Sequence, residues 1–346
     1  MKTRNKGLDI LRAVAIILVL FRHSNSDNFV QHFGWLGVDL FFVLSGFLIS
    51  NLLFEEYKAT KRIDIKRFFA KRAFKIFPPF YFFLLTTLTV SYLVSGESYS
   101  WNQIAAEFFY VQNYWSGIWL HTWSLAVEEH FYLLFGLLVV ILTKRNMLSN
   151  QGFMIGVLTF ILILSLVMRV YVSYPHRNDE FFGFFQTHLR SDGIVLGVLL
   201  SYLYHFTNSL TFLRRHKRAV LILSGVFIAP GFIFHSGGFF MNTLGLTTVN
   251  IGFTLLVLLA LDFEELYERS KSRAVVLVVS WLSFVGMNSY SIYIWHLTIK
   301  DVFYSSFSFD PYLMTFSCFL LSILLGIAMS YLIEKPTLRL RNRIFV

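Results

Sequence analysis

The opening stretch of the chain, Leu8-Asp9-Ile10-Leu11-Arg12-Ala13, leads through an apolar run to Phe21-Arg22-His23. Arg12 and His23 are eleven positions apart. On a helix that puts them within ~20° of one azimuth and ~16 Å apart along the axis. A guanidinium at one level and an imidazole at another suit an anion held at one end and a proton moved at the other. Arg12 paired with Asp9, and His23 resting at an interface, also fits the spacing.

A second cluster reads Trp123-Ser124-Leu125-Ala126-Val127-Glu128-Glu129-His130-Phe131-Tyr132. Ser124 and Glu128 share one helical face; Leu125, Glu129 and Tyr132 share another. His188-Leu189-Arg190-Ser191-Asp192 sets Arg190 and Asp192 two apart, toward different neighbours, which predicts ion pairs to other helices. Asp39 is expected to partner an arginine. Ser289, Tyr293 and His296, at i, i+4 and i+7, predict a polar stripe along one helix. The basic run with Lys71, Arg72 and Lys75, ending Ile76-Phe77-Pro78-Pro79-Phe80-Tyr81, suits either a polyanion site or the ordinary bias of basic residues beside a membrane. Its proline pair fits the first turn of a helix.

The elements that must carry these residues are apolar. Of 346 residues 56% are hydrophobic and 14% charged, whereas soluble domains run at about 45–50% and about 25%. Ten apolar segments, near 8–23, 36–54, 76–95, 123–143, 152–174, 188–206, 218–235, 243–262, 274–298 and 312–334, predict an all-α polytopic membrane bundle of about ten transmembrane helices. With the amino terminus inside, 24 of the 30 basic residues fall in inner segments, against Arg22, Arg177 and Lys300 outside. That asymmetry predicts cytoplasmic termini and assigns the net charge of +10 to topology rather than to nucleic acid. Trp35, Trp101, Trp115, Trp119 and Trp123 gather in or beside the first two outer loops, as interfacial rings do. The lone Cys318 predicts neither a disulfide nor a cysteine metal site. Ionisable groups within such spans are costly enough that each is a candidate site unless a partner explains it.

At these residues the chain resembles the integral-membrane acyltransferase 3 family, bacterial enzymes that O-acylate cell-envelope glycans and related molecules. Four blocks carry the likeness: Leu8-Asp9-x-Leu11-Arg12-Ala13 with His23; Gly34-Trp35-x-Gly37-Val38-Asp39 through Ile49; the basic-Ile-x-Pro-x-x-Tyr segment ending at Tyr81; and Trp123 through Tyr132. Arg190-x-Asp192 with Gly197, Ser289 through His296, and Glu334-Lys335-Pro336 extend it along the whole chain. Lys71-Arg72 and Lys75 stand where the family pattern has arginines, and His130 where glutamine is frequent.

The resemblance implies a multi-pass O-acyltransferase of the bacterial inner (cytoplasmic) membrane, one membrane-embedded unit over 1–346 with no appended extracytoplasmic domain. The donor would be cytoplasmic acyl-CoA, foremost acetyl-CoA. The acceptor would be a hydroxyl of an extracytoplasmic glycan, such as lipopolysaccharide O-antigen or exopolysaccharide, free or lipid-linked. No metal is implied. The family treats Arg12 and His23 as essential. In the mechanism this suggests, His23 is the general base, oriented by Glu128 or Glu129, with direct transfer and a covalent acyl-His23 both open. Arg190 or the Tyr293 hydroxyl would face the oxyanion; Asp192, Ser124, Trp123 and His296 would help bind the acceptor. Lys71, Arg72, Lys75 and Tyr81 would hold the donor, and a protein-lined passage would join that cationic patch to His23. The competing expectation is a proton-coupled exporter or flippase of an envelope precursor.

Overall fold

The structure, a computed structural model, describes residues 4–24, 29–177, 184–268, 272–307 and 310–345. Lys2, Arg269 and Lys271, counted above among the inner basic residues, lie outside the described residues. Among those described there are helices and no strands. The principal helices are α1 (Lys6–Arg22), α2 (Leu36–Thr60), α3 (Ile65–Val90), α4 (Trp101–Phe108), α5 (Trp123–Lys144), α6 (Gln151–Ser173) and α7 (Asp192–Phe206). They continue as α8 (Lys217–Ile228), α9 (Leu246–Leu261), α10 (Arg273–Met287), α11 (Ser289–Ser306), α12 (Pro311–Met329) and α13 (Lys335–Ile344).

Among the described residues six helical stretches are long and apolar enough to cross a membrane: Gln31–Thr60, Ile65–Val94, Leu120–Lys144, Gln151–His176, Met241–Leu261 and Pro311–Ile344. The expected ten segments are all helical, but three fall short of the roughly 20 residues that cross a hydrocarbon core: α1 has 17 residues, α7 has 15 and α8 has 12. The segment expected at 274–298 is broken. The chain bends by 73° between α10 and α11 at Asn288, which is fully buried and gives its side-chain amide to the Phe284 carbonyl. No proline is involved; the amide side chain takes over a backbone acceptor that the bend releases.

The third segment also differs from expectation. α3 begins not at the proline pair but at Ile65, because the Asp64 side chain caps the Arg67 amide at 2.9 Å. Pro78 and Pro79 therefore sit inside the helix, and Lys71, Arg72 and Lys75 ride on the same rigid element as the apolar span.

Charged ends gather at one end of the bundle. Asn5 donates to the Leu261 carbonyl, Lys58 to that of His205 and Arg67 to that of Phe345. Both ends of the described chain lie there, since Arg4 and Arg341 line one cavity mouth. At that end Asp262, just past α9, has its carboxyl held below the usual range, burial notwithstanding, by bonds from the Arg214 and Lys217 side chains.

Helix association in lipid relies on close approach rather than on burial from water. α2 is the central element: 67% of its apolar window is buried, against 22% for α6. A Cβ on Gly46 would stand 2.0 Å from the Ile194 carbonyl oxygen, and one on Gly197 2.1 Å from that of Val43, so α2 and α7 cross backbone to backbone. Gly286 does the same for α10 against α1, where a Cβ would stand 1.9 Å from the Asp9 oxygen. These crossings fix α1 against the break at Asn288, which brings the Arg12–His23 helix alongside α11.

Candidate functional site

A cavity of about 790 Å³ opens between α1, α2, α3, α5 and α11. Its α2 lining runs from Val38 to Thr60, ~33 Å of helix rise, about the thickness of a hydrocarbon core. Arg67, Lys71 and Arg341 stand at its mouth; Arg12 and Lys75 stand further in; Ser124, Glu128, Ser289 and Tyr293 line its far reaches. Such a shape takes a long ligand with an anionic end and a slender apolar arm.

The cations divide sharply. Asp9 is held by Arg4 through bonds of 2.6 and 2.7 Å and makes no direct ion pair with Arg12. Among the described residues Arg12, Lys71 and Lys75 have no hydrogen-bonded or ion-paired side-chain partner, and all three line the cavity. Arg72 is occupied instead. Its Nη2 lies 3.4 Å from Glu129 and 3.6 Å from Glu128, with the guanidinium 3.6 Å from the Tyr132 ring centroid. Ser45 and Tyr132 hydroxyls donate to Glu128 at 3.1 and 2.7 Å.

The two glutamates therefore serve the Arg72 cluster and do not orient His23, contrary to the carboxylate–histidine pair expected. Both reach one guanidinium because it lies over Tyr132, between the two directions their side chains take from α5. Arg190 pairs with Asp39 at 2.9 Å, and Asp192 with Arg169 at 2.8 Å. Both pairs are the expected links between helices, and neither Arg190 nor Asp192 is in the cavity wall; Arg190 as oxyanion donor is thereby displaced. Trp123 packs on Phe42 and Phe185 and beneath Arg190, outside the cavity lining. Tyr81 is turned away from the cavity: its hydroxyl bonds the Phe108 carbonyl at 2.9 Å and its ring lies tilted against that of Phe108. Nine residues beyond Arg72 it falls on the opposite side of α3.

His23 lies in a second, small pocket of about 20 Å³ with His296, Lys300, Thr315 and Ser322. The expected continuous passage is interrupted. Between cavity and pocket is a layer in which the Tyr293 hydroxyl donates to the His121 carbonyl at 2.7 Å and receives from Ser124 at 2.6 Å. The rings of His121 and His296 are 5.1 Å apart, and those of His296 and His23 4.9 Å. Tyr293 and His296 are one turn apart on α11, so the predicted stripe crosses from cavity to pocket.

Sequence reasoning missed His121, which sits in an irregular turn before α5 where no periodicity marks its direction. It also missed Glu107. The Glu107 carboxylate accepts from the Ile118 and Trp119 amides and the Thr122 hydroxyl, tying α4 to the connection that leads into α5. Burial lifts its pKa to about 7 in spite of those donors.

The sequence model described as the acyltransferase domain matches residues 5–335. The chain belongs to that acyltransferase family. The chain is 28% identical over 321 residues to the O-acetyltransferase OatA of Staphylococcus aureus (strain NCTC 8325 / PS 47), covering 85% of this chain and 50% of that protein. It is 30% identical over 318 residues to the putative O-acetyltransferase SACOL0978 of Staphylococcus aureus (strain COL), covering 86% and 51%. The chain thus spans about half the length of these curated relatives. No solved structure matches it.

Proposed function

We propose that the protein is an inner-membrane O-acyltransferase that moves an acetyl group from cytoplasmic acetyl-CoA to a hydroxyl of an extracytoplasmic envelope glycan, with about ten passes and cytoplasmic termini. One observation carries the reading. A cavity about as long as a bilayer is thick has unpartnered cations at its basic end and stops one helical turn from a buried histidine. Acetyl-CoA supplies the activated thioester. Arg67, Lys71 and Arg341 at the mouth, with Arg12 and Lys75 further in, bind its phosphates, and the apolar α2 wall receives the pantetheine arm. Among these, Arg12 is free to do so because Asp9 is taken by Arg4, and Lys75 because no side chain pairs with it among the described residues.

At the far end His23 removes the acceptor proton as the oxygen bonds to the acyl carbon, then returns it to the departing thiolate as the carbon–sulfur bond breaks. The Tyr293 hydroxyl, supported by Ser124, is the donor for the developing oxyanion once it turns from the His121 carbonyl. That same movement opens the layer between cavity and pocket.

The test supplies labelled acetyl-CoA to inverted vesicles and follows label onto envelope glycan. Wild type should transfer; His23→Ala should lose at least ~10²-fold of that rate, the lower range for a general base. Transfer that survives His23→Ala overturns the role of His23. The broken helix at Asn288 is a feature exporters share. Solute flux without acyl transfer in the same vesicles would favour that reading.

A further inference from the structure

Among the described residues His23 has no carboxylate partner, yet its ring is held at a defined angle. Nδ1 lies 3.0 Å from the Val19 carbonyl oxygen and 3.1 Å from His296 Nε2. A carbonyl only accepts, so His23 Nδ1 carries a hydrogen. The same logic applies to His296, whose Nδ1 is 2.6 Å from the Tyr293 carbonyl oxygen. Its hydrogen is therefore on Nδ1, and its Nε2 presents a lone pair to His23. The two assignments agree: the single Nδ1 hydrogen of His23 is shared between the Val19 carbonyl and His296 Nε2, both of which accept. They leave His23 Nε2 as the ring's proton-free nitrogen. Both rings line the small pocket, where the Thr315 hydroxyl is buried without a hydrogen-bond partner.

We propose that His296 is the positioning residue for the His23 base, a neutral imidazole accepting from His23 Nδ1 in the place a carboxylate commonly takes. His23 Nε2 is then the atom that receives the acceptor proton, and the acceptor hydroxyl enters at the small pocket. This rests on the acyl-transfer reading. The proton passes from hydroxyl to Nε2 while the new carbon–oxygen bond forms, and from Nε2 to the leaving thiolate when the thioester breaks. His296 keeps its own hydrogen on the Tyr293 carbonyl throughout. A fixed tautomer matters because an imidazole protonated on the wrong nitrogen offers no base to the substrate.

The groups facing this pair are Arg22 on α1, Lys300 on α11, Cys318 on α12 and His121 before α5. The experiment uses the full chain in lipid nanodiscs with labelled acetyl-CoA and an envelope-glycan acceptor. His296→Phe retains ring packing and removes the acceptor nitrogen. Its kcat should fall about tenfold to a hundredfold, part of what a general base contributes, with KM for both substrates within about twofold. The acid limb of kcat/KM should move to lower pH, since the His23 imidazolium loses an acceptor. His296→Gln, whose amide oxygen can accept, should recover part of kcat. An unchanged kcat in His296→Phe, or a loss confined to KM, overturns the proposal. So does a loss in His296→Gln equal to that in His296→Phe with no shift of the acid limb. If His296→Phe does not fold, His296→Leu, which also lacks an acceptor, takes its place: an unchanged kcat and an unmoved acid limb overturn the proposal. His23→Ala run alongside separates the two readings. If it is inactive while His296→Phe is fully active, only the positioning role falls; if it stays active, the base role falls as well.

Discussion

Arg190 and Arg12 carry the same charge within the same bundle, and their surroundings are opposite. Arg190 meets Asp39 at 2.9 Å between α2 and the turn before α7, buried and away from the cavity. Arg12 lies on α1 with its nearest acid already bound to Arg4, facing open volume. Arg169 with Asp192 repeats the first pattern and Lys75 repeats the second. A buried charge must be compensated by something. Where the protein supplies the partner, the charge holds helices together; where it does not, a ligand is left to supply it. The comparison separates architecture from function more cleanly than residue type does.

The largest effect that tests this contrast is on stability. Asp39→Ala leaves Arg190 buried and uncompensated and should cost about 3–5 kcal/mol, read as a fall in melting temperature in detergent. The double variant Asp39→Leu with Arg190→Met should recover most of that loss. Arg12→Gln should do the reverse: melting unchanged, KM for acetyl-CoA raised about 10–100-fold, the worth of about 1.5–3 kcal/mol for bonds to a charged group. If Arg12→Gln destabilises the fold and leaves KM alone, the contrast fails.

Smaller effects sharpen it. Raising ionic strength should weaken donor binding a few-fold through the mouth cations Arg67, Lys71 and Arg341, without moving the melting temperature that Asp39–Arg190 supports. Glu107 holds its proton more tightly folded than unfolded, so unfolding releases a proton. Stability should therefore fall as pH rises from the ordinary carboxylate range to about 7 and level off above it. Glu107→Gln should flatten that slope in a melting series across pH. Least of all, Tyr81→Phe should leave KM for acetyl-CoA within about twofold, because its hydroxyl serves the Phe108 carbonyl.

Much of the site could be read before folding was considered. Arg12 and His23 share a helix, so their common azimuth follows from the 3.6-residue period. The stripe Ser289–Tyr293–His296 follows likewise, and it runs from cavity to pocket. The opposed faces of Tyr81 and Arg72 were open to the same arithmetic. His121 was not, since an irregular turn has no period to extrapolate. The division of labour among acids was not legible either. Glu128 and Glu129 sit about a turn and a half from the Trp123 end of α5 in a block resembling family members, yet their partner, Arg72, comes from a helix 56 and 57 positions away in sequence.

The sequence by itself determined that this chain is helical and apolar, that its basic residues collect on alternate connections, and which residues share a helix face. Those properties depend on local chemistry and a fixed helical repeat. Tertiary structure alone decided which charges are spent on one another, that α10 and α11 part at Asn288, and that His23 meets a histidine rather than a carboxylate. Such choices depend on how closely helices remote in sequence approach, and glycines such as Gly46, Gly197 and Gly286 permit approaches that no single segment can announce.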